Sequence, residues 1–84
     1  MLHKIFVVRD AKVEAYAKPI FVRSRGEGLR SFTDAVNDNT TEFARHPEDY
    51  ALFEIGVYDD DTGLVEPHVQ PELIAKAVDL VIAS

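Results

Sequence analysis

A run of alternating residues from Tyr50 to Tyr58 restricts the fold of this chain more than any other feature. One alternate set is Ala51, Phe53, Ile55 and Val57, and the other is Leu52, Glu54, Gly56 and Tyr58. A period of two is typical of a β-strand. The five-residue turn 59–63, Asp-Asp-Asp-Thr-Gly, leads into Leu64-Val65-Glu66, which predicts a short second strand and therefore a hairpin.

The amino-terminal third predicts two further strands. Residues 2–9 are rich in β-branched and aromatic side chains, with Ile5 and Val7 on one side and Phe6 and Val8 on the other. Residues 19–23 form the second strand, with its proline at the start, where the missing N–H is tolerated. Residues 10–17 fit either an irregular connection or a short helical turn.

Three helical segments are predicted. Ser24 and Glu27 form a capping box that opens a helix to about Asp38, with a buried stripe of Leu29, Phe32, Ala35 and Val36. Residues 40–45 fit one short turn, anchored by Phe43 and stopped before Pro47. Pro71 opens a last helix with a buried stripe of Ile74, Ala77, Val78 and Val81.

The order β-β-α-β-β-α predicts an α+β fold, a small antiparallel sheet of about four strands with helices packed on one face. The 84 residues allow one domain, spanning 1–84. A chain this short is marginally stable alone, and it has no cysteine for a disulfide or thiolate zinc site. Self-association is the remaining source of stability, so we expect a homodimer or higher homo-oligomer. The opening residues contain only four consecutive apolar side chains, too few for a signal peptide or a membrane span.

The net charge of −6 argues against a simple nucleic-acid binder, but the charge is unevenly distributed. Residues 1–30 hold seven basic and three acidic residues, whereas residues 31–84 hold two basic and twelve acidic ones. This asymmetry indicates either an anion-binding face or complementary subunits. The alternative is that the two halves mix in space when the chain folds.

Neither a metal site nor a catalytic site is supported. The aspartates at 59–61 resemble a calcium loop, but strands flank them and Gln70 stands where the twelfth-position glutamate is needed. The same residues suit a hairpin turn. His3, His46 and His68 show no paired spacing, and no serine has the setting of a nucleophile. We therefore expect no metal, no cofactor and no enzymatic activity.

Basic and aromatic residues are interleaved in the first 30 residues, which favours nucleic acid. Gly26-Glu27-Gly28 at a helix start could hold a phosphate, although Ser31 breaks the dinucleotide pattern and the glycines equally suit close helix packing. Aromatic rings stack on bases while cations follow the backbone, and Phe21, Arg23 and Arg25 would share a strand face. Alternatively, Phe21 belongs to the core. The predicted nucleic-acid-binding residues are Arg9, Lys12, Tyr16, Lys18, Phe21, Arg23, Arg25 and Arg30.

Three segments carry a family resemblance: residues 4–10 with Ala15-Tyr16, residues 26–38, and residues 46–60 from His46-Pro47-Glu48-Asp49-Tyr50 to Asp60. With these the chain resembles the small nonstructural protein of gokushoviruses, members of the Microviridae, which have circular single-stranded DNA genomes. The part from Pro71 onward matches loosely. The resemblance implies a role in phage DNA replication or packaging, comparable by genome position to the protein that switches coliphage synthesis from replication to packaging. It supplies no catalytic residues.

These observations lead to two functional hypotheses. The first is a noncatalytic phage protein of the host bacterial cytoplasm that binds single-stranded DNA or the replication complex. The second is a protein–protein adaptor, in which an acidic surface docks a basic replication or capsid protein. The residues of that surface would be Glu48, Asp49, Asp59, Asp60 and Asp61.

Overall fold

The computed structural model describes residues 1–82, which form five strands and two α-helices. The strands are β1 (Leu2–Asp10), β2 (Ala15–Tyr16), β3 (Ile20–Val22), β4 (Tyr50–Asp59) and β5 (Leu64–Lys76). The helices are α1 (Arg25–Val36) and α2 (Glu42–Arg45), with single 3₁₀ turns at Pro47–Asp49 and Ala77–Asp79. None of the helices in residues 1–82 has the length and apolar character needed to cross a bilayer.

All five strands join one antiparallel sheet with the order β2-β1-β4-β5, and β3 also pairs with β1. The β1–β4 pairing runs from Leu2 opposite Asp59 to Asp10 opposite Tyr50. The predicted α+β class, with an antiparallel sheet and helices on one face, is confirmed.

Helix α1 begins as its capping residues predict and packs closely on β1. The Ser24 hydroxyl accepts a hydrogen bond from the Glu27 N–H at 3.1 Å. Gly28 faces the ring of Phe6 so closely that a β-carbon there would lie 2.6 Å from Cε2. The core between helix and sheet consists of Phe6, Val22, Phe32, Val36, Leu52 and Ala77.

Helix α2 confirms the predicted short turn and its anchor. The Thr41 hydroxyl caps it by accepting from the Ala44 N–H at 3.2 Å. The Phe43 ring meets those of Phe32 and Tyr50 edge-on, with centroids 5.6 Å and 4.8 Å apart. These contacts attach α2 to the start of β4.

The predicted last helix is wrong, because residues 71–76 continue strand β5. Its spacing of apolar residues fits a helix, but Leu73 and Ala75 instead pair with Phe53 and Leu52 of β4. Without β5, this side of β4 would leave its backbone N–H and C=O groups without strand partners. Only Ala77–Asp79 turn, as a 3₁₀ turn, with Ala77 fully buried. Tertiary pairing overrides the local pattern here.

Residues 10–17 are an irregular connection only over residues 11–14, since Asp10 ends β1 and Ala15–Tyr16 form β2. After β1 the chain turns through Ala11–Glu14, where Glu14 has a φ of 55°, and then pairs back along β1 as β2. Arg9 and Asp10 are the partners of Tyr16 and Ala15. The strand predicted at 19–23 is present as the three residues of β3.

Strand β5 departs from β4 in the middle. Gly56 pairs with Pro67 while Glu54 pairs with Glu72, so residues 68–71 pass outside the regular register opposite Ile55. We call these residues the β5 excursion. A β-carbon at Gly56 would lie 2.6 Å from the Glu66 carbonyl oxygen, so a glycine is needed where the strands come this close. Pro67 precedes the excursion and Pro71 is its last residue, and the two prolines remove two N–H donors from this edge strand.

Candidate nucleic-acid interface

The face of the sheet opposite the helices is lined by rows of paired residues. Because side chains alternate along a strand, His3, Ile5, Val7 and Arg9 point away from the Phe6 side of β1. Their cross-strand partners share that side. The four rows are Tyr16–Arg9–Ala51–Lys76, Val7–Phe53–Leu73, Phe21–Ile5–Gly56–Pro67 and His3–Tyr58–Val65. We call this surface the open face.

Two aromatic pairs lie on the open face. Tyr16 and Phe53 meet edge-on with centroids 5.7 Å apart, and Phe21 and Tyr58 do the same at 5.7 Å. His3 extends the second pair, 5.9 Å from Tyr58. Tyr16 is 47% exposed and Phe21 53% exposed, so an aromatic ring of each pair is available to a ligand.

The charged side chains in the four rows include no carboxylate, although the whole chain carries a net charge of −6. The Arg9 guanidinium lies 5.8 Å from the centroid of the Tyr16 ring. Lys76 is the second neighbour of Arg9, across Ala51. Within residues 1–82, no carboxylate oxygen lies within 4.0 Å of either charged group, although Glu48 and Asp49 line a 220 Å³ cavity together with Arg9 and Lys76.

A groove marks the other end of the open face. It has a volume of about 280 Å³ and is lined by His3, Phe21, Tyr58 and Val65. We call it the aromatic groove. The open face therefore combines cations at the Arg9–Lys76 end with an apolar recess at the other end.

The structure gathers three of the eight predicted nucleic-acid-binding residues on the open face: Arg9, Tyr16 and Phe21. Lys12 lies in the turn after β1, where its N–H donates to the Asp10 carboxylate at 2.9 Å. Lys18 lies in the connection between β2 and β3. Arg23 occupies the bend before α1 and Arg30 an exposed position on that helix. The alternative that Phe21 belongs to the core is wrong.

Arg25 has a different role from the one its neighbours suggested. It does not share a strand face with Phe21, because β3 ends at Val22 and Arg25 is the first residue of α1. Its Nη2 atom lies 3.5 Å from Glu54 Oε1 and 3.2 Å from Glu72 Oε1. Glu54, only 2% exposed, also bonds His68 Nε2 through Oε2 at 2.6 Å. The guanidinium is thus engaged by carboxylates.

Sequence reasoning missed three residues of the open face: Phe53, Tyr58 and Lys76. The alternation in β4 identified Phe53 and Tyr58 as strand residues but placed them in opposite sets, and the register shift at Ile55 brings both to the open face. Lys76 was assigned to a helix. A signal for Phe53 and Tyr58 was present, since both alternate sets in β4 contain large apolar side chains and a single layer of helices covers one face only.

An acidic cleft lies on the helix side, at the start of β4. It has a volume of about 460 Å³, and its lining includes Asp10, Glu42, Glu48 and Asp49. The Tyr50 hydroxyl donates to Glu42 Oε2 at 3.0 Å in this cleft. Partial burial, this hydrogen bond and the nearby charge of Asp10 raise the pKa of Tyr50 to about 12.

The aspartate-rich segment is a hairpin turn, as its composition predicts. Gly63 has a φ of 75°, and its N–H donates to the Asp59 carbonyl at 2.8 Å. Asp60 accepts from the Met1 ammonium group at 2.7 Å and bonds His3 Nε2 at 2.8 Å, and these contacts lower its pKa. The three histidines do not share a site, because each has a different carboxylate partner: Asp60 for His3, Glu48 for His46 at 3.9 Å, and Glu54 for His68.

A family model described as Phage ORF5 protein matches residues 3–80 of this chain. The match covers 78 of the 84 residues and includes every residue of the four rows and of the core. No curated protein and no solved structure shows a significant match.

Proposed function

Because the chain belongs to the Phage ORF5 protein family, we propose that it is a noncatalytic phage nonstructural protein that binds single-stranded DNA through the open face. One observation carries the proposal. Exposed aromatic rings and the two cations Arg9 and Lys76 share a surface whose rows contain no carboxylate, on a chain of net charge −6.

The chemistry of the open face suits an unpaired strand. Bases that have left a duplex offer their flat surfaces to aromatic side chains, and each such contact is worth about 1–3 kcal/mol. The Tyr16 row and the Phe21 row are four residues apart along β1, which is about 13 Å at the usual rise of a strand. A segment of a few nucleotides can therefore contact both aromatic pairs, with its phosphates near Arg9 and Lys76.

The resemblance to gokushovirus proteins supports a role during replication or packaging of the phage DNA. A phage with a circular single-stranded genome needs that strand bound during replication and packaging, and the proposed activity fits either process. Binding to the replication complex would act at the same stage.

The test is fluorescence anisotropy with a labelled single-stranded oligonucleotide at low and at physiological salt. We expect saturable binding that weakens with salt, because phosphate contacts release counterions. Tyr16→Ser should weaken binding several-fold, and Val13→Ser, another exposed residue outside the four rows, should not. No saturable binding even at low salt would contradict the proposal.

The second candidate is a protein–protein adaptor, favoured by the acidic cleft. Four carboxylates in its lining outnumber the one lysine, Lys12, so the cleft has the charge to receive a lysine or arginine side chain of a basic phage protein. Asp59, Asp60 and Asp61 do not join it, since they lie at the hairpin turn. The test is co-purification with the phage replication initiator. This candidate is favoured if the wild type co-purifies, the Glu48→Lys variant does not, and no DNA binding is found.

A further inference from the structure

Val69 is the most exposed large apolar side chain in residues 1–82. Its exposed fraction is 107% of the reference value, and it lies in the β5 excursion with Pro67 and Pro71 on either side. A valine at this exposure is not packed against any other part of its own chain. A partner that covers Val69 removes this apolar surface from water, which favours association.

The β5 excursion is anchored to the interior of the protein. His68, the residue before Val69, bonds the buried carboxylate of Glu54 at 2.6 Å, and Arg25 bonds that carboxylate from α1. A buried carboxylate costs free energy unless such partners neutralise it. The anchoring therefore presents Val69 from a defined position on the surface.

The aromatic groove supplies a recess for an apolar side chain. Its four lining residues, His3, Phe21, Tyr58 and Val65, carry no carboxylate, lysine or arginine, and its volume is about 280 Å³. The segment 67–71, Pro-His-Val-Gln-Pro, likewise has no acidic residue, lysine or arginine. Two negatively charged copies can thus bring these two surfaces together without opposing like charges at the point of contact.

We propose that the chain forms a two-fold dimer in which Val69 of each copy enters the aromatic groove of the other. A protrusion and a recess on the same molecule make a self-complementary interface when the axis is two-fold. The surplus of exposed apolar residues supports this: thirteen large hydrophobic residues are exposed in residues 1–82, against eight hydrophobic residues that are buried. The dimer covers the groove end of the open face, including the Phe21–Tyr58 pair, and leaves the Tyr16–Arg9–Ala51–Lys76 row accessible. In the dimer, DNA therefore binds at that row, and a strand reaches both aromatic pairs only on the monomer.

Crosslinking tests the contact directly, because the chain contains no cysteine. Single variants Val69→Cys and Val65→Cys, one carrying a mass tag, are mixed and treated with a short bismaleimide. The tagged–untagged product should form at least tenfold faster than with Val13→Cys in place of Val65→Cys, since Val13 lies in the β1–β2 turn. Equal rates for the two mixtures would overturn the proposal.

Light scattering at increasing concentration measures the assembly itself. The wild-type mass should approach twice that of the chain, and Val69→Asp should raise the dissociation constant at least tenfold, while Val13→Asp leaves it unchanged. A wild-type monomer at all concentrations, or a dimer that Val69→Asp does not weaken, would also overturn the proposal.

The experiments distinguish failure of the dimer proposal from failure of the DNA-binding proposal. Val69 is not one of the residues in the four rows, so Val69→Asp should retain DNA binding at the Tyr16 end. A dimer that depends on Val69 in a protein without DNA binding would refute the proposed function alone. DNA binding by a protein that is always monomeric would refute the dimer alone.

Discussion

Gly28 of α1 and Phe6 of β1 are in direct contact, with space between the helix backbone and the ring for a hydrogen atom only. A β-carbon at Gly28 would approach Cε2 of Phe6 to 2.6 Å and Cδ2 to 2.7 Å. Phe6 is completely buried, so its ring cannot move out into solvent to make room. The contact sets the distance between the helix layer and the sheet.

Gly28→Ala should therefore destabilise the protein, although alanine favours a helix by about 1 kcal/mol over glycine. Overpacking a filled core costs about 1–3 kcal/mol. The free energy of unfolding in urea measures the difference. Gly26→Ala is the matched control in the same helical turn, because the nearest atom to its added carbon is 4.0 Å away, and it should be neutral or stabilising.

Glu54→Gln should cost about 3 kcal/mol of unfolding free energy, the lower end of the range for breaking a buried ion pair. The substitution removes the charge that faces Arg25 and His68 from a position only 2% exposed. Glu72→Gln removes a carboxylate that contacts the same Arg25 from a half-exposed position, and should cost less than about 1 kcal/mol. Urea titrations of both variants at pH 7 make the comparison, and equal losses would show that burial of Glu54 does not matter.

Tyr50 should ionise later than an ordinary tyrosine when the folded protein is titrated with base. Its pKa is raised from 10 to about 12, so the unfolded chain releases this proton first. The contribution of Tyr50 to stability is therefore complete below about pH 10 and is lost as the pH rises through 12. Tyrosinate absorbance near 295 nm follows the ionisation, and Tyr50→Phe should remove the latest step. An unchanged titration curve in that variant would contradict the assignment.

Arg9→Gln and Lys76→Gln should each reduce the salt dependence of DNA binding by about one unit of slope in a plot of log affinity against log salt. Both side chains lie in the first row of the open face. Arg30→Gln is the control, because Arg30 lies on α1, in the layer that covers the other face. A larger effect of Arg30 than of Arg9 would move the DNA-binding surface to the helix side.

Local signals account for the parts of the fold that the sequence predicts correctly. The capping of α1 depends on Ser24 and Glu27, three residues apart, and the strand character of β4 depends on adjacent alternation. The end of β5 could not be predicted in this way. Ile74, Ala77 and Val81 have helical spacing, and only the pairing of Leu73 with Phe53, twenty residues away, makes the segment a strand.

The candidate interface could be predicted only in part, because local signals identify residues that are close in sequence but not their distant partners. Arg9, Tyr16 and Phe21 lie close in sequence, and β2 and β3 both pair with β1, which brings the three to one surface. Arg25 is equally close in sequence, but Glu54 and Glu72, twenty-nine and forty-seven positions away, bind it. Whether a basic residue is available to a ligand depends on such distant partners.

The pairing of β1 with β4 has a consequence for how the chain folds. The central pair of the sheet joins residues 40 to 57 positions apart, Asp10 with Tyr50 and Leu2 with Asp59. Contacts between distant positions form slowly, because a long loop must close before they contribute. During synthesis, β2 and β3 can pair with one edge of β1, but its other edge stays unpaired until β4 follows. A chain interrupted before Tyr50 would carry an apolar strand with one open edge, which is prone to aggregation, so we expect the sheet to form only after β4 has been synthesised.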